Sequence, residues 1–547
     1  MSATDSVAEL RAAVDGAARA LRDGERTEPA PTLSRPPQVE LGDYSSNAAM
    51  LLAGPLGDNP RAVATRLQEE LERNLGTSGD LDRVEVAGPG FVNLFLSDRW
   101  YRRAVARLAA AADELGPEPV AAPERVLVEF VSANPTGPLH VGGGRHAAYG
   151  DAVARLLGAA GHAVEREYYV NDAGGQIGRF ADSIVAKMTG GKPPEDGYEG
   201  DYIADLAERI AAEGIDPGDR EAVGGRGIEL VLDQVRGTLE RFGVVYDNWV
   251  SEKALYERGE VESALAELER RGHSYRSDEA LWLRTTDFGD DKDRVLIKAT
   301  GEPTYLAADV AYHWDKLQRG FDRLIDVLGA DHHGYVARVR AAIEALGADA
   351  GAFEALIMNL VHIVEGDERA QMSKRSGDFI SLDELVDDIG VDAARWFMLW
   401  RSHETTVDLD LDLARSQSSE NPVYYVQYAH ARIASILRKA GEAGEAAASF
   451  EPSEAGAPLV LSEKALIKRL LEFPDEVLES AARRAPHRIC AYLTAVAADF
   501  HAFYRDCQVV GAEGEGTEAA RLALCLCTKR TIAKALGLLG ISAPERM

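Results

Sequence analysis

Short β-branched runs and longer stretches with helical spacing alternate along most of the chain. The apolar run at 126–131 predicts a buried strand, and the turn residues at 134–138 end it. Glycines follow at 142–144, and apolar residues then recur at helical spacing from Arg145 onward. This order of strand, turn, glycine-rich entry and helix directs bare backbone N–H groups and a positive helix end at a ligand. Such an arrangement suits a phosphate.

The same alternation continues in the second half of the chain. Residues 304–316 predict a helix, 323–328 a strand and 353–365 a further strand. Helical patterns between apolar strands predict an α/β fold with a Rossmann-type, doubly wound parallel sheet. A Gly/Pro/acidic loop, a helix at 227–242 and a hairpin that pairs 281–283 with 295–297 read as an insertion at about 180–300.

The two ends of the chain have different patterns. Helices at 6–22 and 61–75, followed by paired strands within 84–96, predict a small α+β N-terminal domain over 1–110. An Ala/Pro-rich linker then leads into a catalytic domain over 111–407. From about Asp408 the pattern is helical to the end, which predicts an all-α bundle over 408–547.

Composition places the 547-residue chain among globular proteins, since 46% of its residues are hydrophobic. No apolar stretch is long enough to span a bilayer, and the N-terminus lacks the basic start of a signal peptide. The four cysteines are not spaced as zinc ligands and are expected to be buried, reduced thiols: Cys490, Cys507, Cys525 and Cys527. A cytoplasmic location is expected.

The net charge of −30 argues against a nucleic-acid partner if it is read as a uniform surface. Screening acts over about 8 Å at physiological salt, however, so a locally arginine-lined face can still bind phosphates. Charge alone therefore leaves the partner open.

Tyr305, Asp309 and Tyr312 recur at helical spacing and are predicted to share one face. A carboxylate beside aromatic rings can bind a guanidinium, because the carboxylate accepts its N–H groups while a ring covers its plane. A purely structural role is the alternative that spacing alone favours.

Two further motifs carry residue types that could bind a ligand. Asp331, His332 and His333 are metal-ligand types, but a third and a fourth ligand are not evident, so no dedicated metal site is expected. Near the C-terminus, tyrosines interleave with His430 and Arg432 on a predicted helix. This composition suits either unstacked RNA bases or a tyrosine-rich core.

Several stretches together resemble one family. His140-Val141-Gly142 is similar to the opening of the HIGH signature of class I aminoacyl-tRNA synthetases, and 371–374 (QMSK) is similar to the KMSK signature. The preceding SANPTGPLHVG at 132–142, Gly150-Asp151 and the YVND at 169–172 resemble bacterial-type arginyl-tRNA synthetases. The resemblance extends from about Leu41 to the C-terminus.

The resemblance implies a reaction and a set of site residues. Arginine and ATP, the latter with Mg²⁺, would form arginyl-adenylate, and the arginyl group would pass to tRNA, which the family usually needs before the adenylate forms. No prosthetic group is implied, and a monomer is expected. His140 and Lys374 would be catalytic. The expected ATP contacts are Pro138, His140, Gly142, Gly143, Arg145, Met372, Ser373 and Lys374. The expected arginine contacts are Glu129, Ser132, Asn134, Tyr305, Asp309 and His332. The expected tRNA contacts are Tyr424, Tyr428, His430 and Arg432, with the N-terminal domain on the tRNA elbow.

The chain departs from the family pattern at two signature positions. Gly143 replaces the second histidine of HIGH and Gln371 the first lysine of KMSK. Losing one donor to the developing charge would cost roughly 2.7–4 kcal/mol unless a neighbour such as Arg145 or His146 replaced it. These departures keep open a catalytically weak paralogue that binds RNA or regulates. A nucleotidyltransferase that needs no tRNA is a second alternative, which the aromatic C-terminal bundle disfavours.

Overall fold

The structure is a computed structural model that describes residues 6–22, 24, 29–366, 368–369, 380–453 and 456–547. Its described part contains a parallel five-stranded sheet, three smaller sheets and a C-terminal group of helices. The Rossmann-type sheet, the small α+β N-terminal part and the helical C-terminal part confirm the predicted fold class.

The N-terminal part packs helices against a four-stranded antiparallel sheet. Its elements are α1 (Ser6–Ala20), β1 (Leu33–Ser34), β2 (Tyr44–Ser46), α2 (Ala48–Leu56), α3 (Pro60–Leu75), β3 (Leu81–Ala87), β4 (Phe91–Leu96) and α4 (Asp98–Ala110). The strand order is β1-β2-β4-β3. The Asn59 side chain accepts from the N–H of Arg61 and caps α3, and Pro60 occupies its first turn.

The central part begins with the strand that the apolar run predicted. Its elements up to the second half of the sheet are β5 (Arg125–Glu129), α5 (Val141–Ala159), β6 (Ala163–Val170), α6 (Gly175–Met188), α7 (Asp201–Ala212), α8 (Arg220–Arg241), β7 (Asn248–Ser251), α9 (Glu252–Glu257), α10 (Glu260–Arg270), β8 (Ser274–Ser277), β9 (Ala280–Leu283) and β10 (Arg294–Ile297). The predicted hairpin is present as β9 and β10, with β8 as a third antiparallel strand.

The second half of the central part completes the sheet. Its elements are α11 (Tyr305–Gln318), β11 (Arg323–Gly329), α12 (His333–Ala345), β12 (Phe353–Met358), β13 (Val361–Glu365), β14 (Glu368–Arg369), α13 (Leu382–Leu399), β15 (Val407–Asp410) and α14 (Leu411–Arg415). The large sheet has the order β12-β11-β5-β6-β7, with all neighbours parallel. The carboxyl ends of β5, β6 and β11 therefore meet at one edge, where ligands bind in open α/β sheets.

Three details of the predicted organisation were wrong. The region read as an insertion contains β7, which is an edge strand of the central sheet. The predicted strand at 353–365 is two strands in different sheets, because the chain breaks pairing at 359–360. The segment from Asp408 does not begin as a helix, since β15 pairs in parallel with β13 before α14 starts.

The C-terminal part is built from helices. They are α15 (Pro422–Ala440), α16 (Glu442–Glu445), α17 (Leu461–Leu471), α18 (Phe473–Ala482), α19 (His487–Asp506) and α20 (Thr517–Leu538). All four cysteines are buried and unpaired, as the sequence predicted. In the described residues, no helix is long and apolar enough to cross a membrane.

Candidate active site

A strained turn follows β5 at the edge of the sheet. Val131 and Ser132 adopt positive φ angles of 71° and 40°, a region that a β-branched residue rarely enters. Tyr168 holds the turn, because its hydroxyl donates to the carbonyl of Ala133 and accepts from the N–H of Ala133, both at 3.1 Å. Backbone strain of this kind is found mainly at functional sites.

His140 caps the N-terminus of α5 instead of lying inside it. Its backbone is extended (φ −92°, ψ 167°), and its Nδ1 accepts from the N–H of Gly143 at 3.4 Å. In a neutral ring this bond assigns the proton to Nε2. A Cβ at Gly142 would approach Cε1 of His140 to 2.7 Å, which explains the glycine. The helix end therefore combines a positive dipole with an imidazole N–H donor.

Gly143 has room for a side chain. A Cβ built there would meet only the side chains of Leu139 at 3.6 Å and Val131 at 4.0 Å, which is ordinary contact. The departure from the family signature at this position is therefore not forced by packing.

Arg145 does not reach the ATP side of the site, which contradicts its predicted ATP contact. The residue is fully buried, and its guanidinium donates to the carbonyls of Asn359, Leu360, Ser402 and Thr405 at 2.6–3.4 Å. Burial lowers the pKa of Arg145 to about 10, which still leaves it charged at neutral pH. It ties α5 to the loops that follow β12 and α13.

The ring of His146 is within electrostatic reach of His140 and His332. Burial, and then the charges of His140 and Arg145, lower the pKa of its ring to about 4, while Asp331 acts in the opposite direction. The ring is therefore neutral at physiological pH. As a neutral ring it retains one N–H donor.

Two carboxylates beside the edge of the sheet form the acidic part of the site. Glu252 is 6% exposed and hydrogen-bonded to Tyr169, while Asp309 is half-buried and accepts from Tyr335. Burial and then the charge of Asp309 raise the pKa of Glu252 to about 7. Burial raises the pKa of Asp309 to about 6. Within the part of the chain that is described, neither carboxylate forms an ion pair, so a cation is the complementary ligand.

Glu129 closes the deep end of this acidic region. It is 7% exposed, and its Oε1 accepts from the Ser132 hydroxyl at 2.8 Å. Its Oε2 accepts from Lys316 at 2.6 Å. The Ser132 Oγ also accepts from the N–H of Tyr169 at 3.2 Å, which joins β5 to β6.

The other predicted arginine contacts are more exposed. Asn134 donates to Oε1 of Gln176 at 2.6 Å, and His332 faces Asp331 at 3.1 Å with its side chain 46% exposed. Tyr305 opens α11 and is 76% exposed, whereas Tyr312 is 2% exposed and donates to Glu167. The two tyrosines lie two turns apart on one face of α11, as predicted, but only the second is buried.

The second signature lies outside the described residues. This applies to Gln371, Met372, Ser373, Lys374 and Arg375. In the described part, no group of three or more His, Cys, Asp or Glu residues is arranged to hold a metal ion.

A second candidate surface lies on α15 and α19. The rings of Tyr424 and Tyr428 stack at 6.2 Å, and Tyr428 stacks on His501 at the same distance. Arg432 lies over Tyr428 at 5.9 Å and over Tyr504 at 4.9 Å. The sequence analysis missed His501 and Tyr504, because they come from a helix about seventy residues further along.

His430 does not belong to this surface, which contradicts its predicted tRNA contact. It is 2% exposed, and its Nδ1 bonds to the carbonyl of Pro544 at 2.9 Å. Burial lowers the pKa of His430, so the ring is neutral and structural.

Comparisons with known proteins cover nearly the whole chain. Family models match for the arginyl tRNA synthetase N terminal domain at residues 8–96, the class I (R) tRNA synthetase catalytic domain at 110–194 and 228–414, and the DALR anticodon binding domain at 426–547. A curated protein of Carboxydothermus hydrogenoformans named arginine–tRNA ligase is 44% identical over 533 residues, 94% of each chain. One of Shouchella clausii with the same name is 44% identical over 539 residues, 96% of this chain and 95% of that one.

Solved structures agree with these matches. A putative arginyl-tRNA synthetase of Campylobacter jejuni superposes with a TM-score of 0.76 at 33% identity, covering 83% of this chain and all of that one. The arginyl-tRNA synthetase of Thermus thermophilus gives a TM-score of 0.76 at 27% identity, covering 99% of this chain and all of that one.

Proposed function

The chain belongs to the arginyl-tRNA synthetase family, and from this premise we propose that its acidic pocket binds the arginine that it activates. The protein is an ATP-dependent arginine–tRNA ligase of class I. The shared name and near-complete coverage of its relatives give no support to the non-catalytic, RNA-binding alternative.

Glu252 and Asp309 are proposed to bind the substrate guanidinium. Two carboxylates without a counter-ion in the described chain would accept hydrogen bonds from the forked N–H groups of arginine. They would bind this planar guanidinium more tightly than a point-like cation of the same charge. Tyr169 and Tyr335 orient the two carboxylates by hydrogen bonds. Tyr305, one helical turn before Asp309, is proposed to cover the guanidinium from the solvent side.

The arginine α-amino and carboxyl groups are assigned to the strained turn. Glu129, Ser132 and Asn134 lie at the end of β5 and in the turn that follows it, and His332 lies at the end of the loop after β11, directly before α12. The first three are proposed to hold the amino group, and His332 to contact the substrate from the loop after β11, the parallel neighbour of β5. These assignments rest on their place at one edge of the sheet and on the family resemblance.

The N-terminus of α5 is proposed to hold the ATP phosphates. Nε2–H of His140 and the backbone N–H of Gly142 are proposed to donate to the phosphates at the helix end where negative charge is favoured, while Gly143, whose N–H donates to Nδ1 of His140, leaves room beside them. Pro138 fixes the chain direction just before it. Met372, Ser373 and Lys374 are proposed from sequence alone to close on the leaving pyrophosphate. Mg²⁺ would enter with ATP as part of the substrate complex.

The arrangement supplies the orientation of the amino acid and the charge stabilisation that nucleotidyl transfer needs. The arginine carboxylate attacks the α-phosphate of ATP, arginyl-adenylate forms and pyrophosphate leaves. The arginyl group then passes to the terminal ribose of tRNA and AMP is released. In the first step, the acidic pocket orients the amino acid, and the helix end stabilises charge that develops on the phosphate.

The tRNA contacts are proposed for the two ends of the chain. Residues 408–547 would bind the anticodon through Tyr424, Tyr428 and Arg432, together with His501 and Tyr504. Residues 1–110 would contact the tRNA elbow, and 111–407 would carry the chemistry. The stacked rings and the guanidinium above them are the observation that supports a single-stranded RNA partner at the bundle. We also propose that the protein acts as a monomer in the cytoplasm, where its four unpaired thiols would stay reduced.

The pocket assignment is tested by kinetics of two isosteric variants. Glu252→Gln and Asp309→Asn should each raise KM for arginine by at least about ten-fold, because a neutral amide cannot form an ion pair with the guanidinium. KM for ATP should change by less than about three-fold. Glu257→Gln is the matched control: Glu257 lies on the same helix, α9, but is exposed and pairs with Lys253 at 3.9 Å. Equal effects on KM for arginine in all three variants would overturn the assignment.

A further inference from the structure

Three carboxylates lie side by side beneath the proposed arginine pocket. In the parallel register, Asp326 on β11 is opposite Glu129 on β5, and Glu129 is opposite Glu167 on β6. Residues in register on adjacent strands project from the same face of a sheet. All three are buried, at 4%, 7% and 0% exposure. Three buried charges of one sign are costly unless cations are built in beside them.

Helix α11 and its C-terminal end supply these cations. The fully buried ammonium of Lys316 donates to Glu129 at 2.6 Å and to Asp326 at 3.0 Å. Arg319, directly after the helix, forms a bidentate pair with Glu167 at 2.6 and 2.9 Å. The row of carboxylates is thus matched to one face of the helix.

Lys316 also connects two groups that the proposed reaction uses. One oxygen of Glu129 is held by Lys316 and the other by Ser132, in the strained turn after β5. Two helical turns before Lys316, on the same face of α11, lies Asp309. A shift of the ammonium would therefore change the orientation of Glu129 and the height of α11 above the pocket.

We propose that Lys316 is a positioning residue for arginine binding, which fixes the Glu129 carboxylate, and with it the Ser132 turn, in the geometry that the substrate meets. The proposal rests on the proposed arginine site. Lys316 touches no substrate in this account. It acts through Glu129, and the measurable consequence is selective for arginine.

The charges around Glu129 determine what losing the ammonium would do. Burial raises the pKa of Glu129, and Lys316 opposes that rise. The other titratable groups that face Glu129 are carboxyls, phenols and one imidazole: Asp326, Glu167, Asp309, Tyr169, Tyr246, Tyr312, Tyr335 and His313. Without Lys316 the pKa of Glu129 rises further, because the anionic neighbours disfavour a second charge. Loss of Lys316 would therefore favour the neutral form of Glu129.

The test compares Lys316→Met with the unaltered enzyme in tRNA arginylation at several pH values. We expect KM for arginine to rise at least about ten-fold at pH 7, because the Glu129 carboxylate loses the buried donor that orients it. KM for ATP should change by less than about three-fold. The pH below which KM for arginine increases should move upward in the variant. Lys298→Met is the control, since Lys298 pairs with Glu302 at 3.2 Å on an exposed hairpin.

Lys316→Gln is the second variant in case the methionine variant does not fold. It keeps a hydrogen-bond donor to Glu129 but no charge, so it should show the same upward shift of the pH profile with a smaller rise in KM. Equal changes in KM for arginine and for ATP, or an unshifted pH profile in a folded variant, would refute the positioning role. An unaltered enzyme that failed to arginylate tRNA would instead refute the proposed function itself.

Discussion

Glu252 and Asp309 should make arginine binding depend on pH. Their pKa values are raised to about 7 and about 6, so each carboxyl becomes neutral as the pH falls through that value. The guanidinium stays charged throughout, and only the ionised carboxylates attract it. KM for arginine should therefore rise between pH 8 and pH 6, by up to about ten-fold per unit for each protonated group.

This dependence is measured as KM for arginine against pH, at saturating ATP and tRNA. In Glu252→Gln the inflection near pH 7 should disappear, and the dependence should begin only near the pKa of Asp309. A flat profile in the unaltered enzyme would mean that neither carboxylate faces the substrate.

Gly150 is required by the packing of α5 on β5. A Cβ at this position would come within 2.6 Å of Cβ of Phe130, which is fully buried beneath it. Gly150→Ala should lower the free energy of unfolding by roughly 1–3 kcal/mol, as expected for an overpacked core. Gly158→Ala, on the same helix with nothing within 4 Å, should instead be neutral or add up to about 1 kcal/mol. Chemical denaturation of both variants measures the difference.

Arg145 and His146 are adjacent, but replacing the first should lower stability, whereas replacing the second should slow adenylate formation. Arg145→Ala strips buried carbonyls of their donor and should destabilise the fold by roughly 2–5 kcal/mol. His146→Ala should leave the melting temperature nearly unchanged and slow adenylate formation by up to about 10²–10³-fold, the cost of one lost donor. Pre-steady-state adenylation and thermal melting separate the two. Slow adenylation in a stable Arg145→Ala protein would contradict the structural role.

At the scale of elements, local periodicity placed most helices and strands correctly. α3 buries Val63, Leu67 and Leu71 as their spacing predicts, and β5, β11 and the β9–β10 hairpin lie within a few residues of the predicted runs. Periodicity could not assign β7, whose four residues are half-exposed at a sheet edge. Nor could it show that the 353–365 run is divided between two sheets.

The site itself was only partly predictable, because several of its groups meet through tertiary contacts. Spacing placed Asp309 on a helix face with two tyrosines, and only the family resemblance assigned it to arginine, while Glu252 comes from an element that carries no motif of its own and approaches Asp309 only after folding. Arg145 and His430 carry chemistry that suits a site, yet the fold uses both to satisfy buried carbonyls. Sequence position does not distinguish these uses.

The aromatic surface on α15 and α19 should act through its rings. Tyr428→Ala removes the ring between Tyr424 and His501 and should weaken tRNA binding by about 1–3 kcal/mol, the value of one stacked base. Tyr428→Phe keeps the ring and should bind like the unaltered enzyme. Filter binding with tRNA measures both. Equal losses would indicate that the hydroxyl acts and not the stacking.

At the scale of the whole molecule, the net charge of −30 opposes a polyanionic partner. The proposed contacts are locally positive despite this net charge, because Arg432 lies among stacked rings and α5 presents a positive helix end. Many acidic residues are paired with arginines, as at Arg226 with Glu213 and Arg415 with Asp388. The sign of the total charge therefore says little about any single face.

The most direct test of the account is ATP–pyrophosphate exchange with arginine, with and without tRNA, at low and high salt. Exchange that requires arginine and proceeds with tRNA present is the predicted result, and it would show that Gly143 is compatible with adenylation. Faster exchange at high salt would indicate that the acidic surface is an adaptation to salt. No exchange under any condition, with tRNA still bound, would contradict the account and leave an RNA-binding protein without the ligase chemistry.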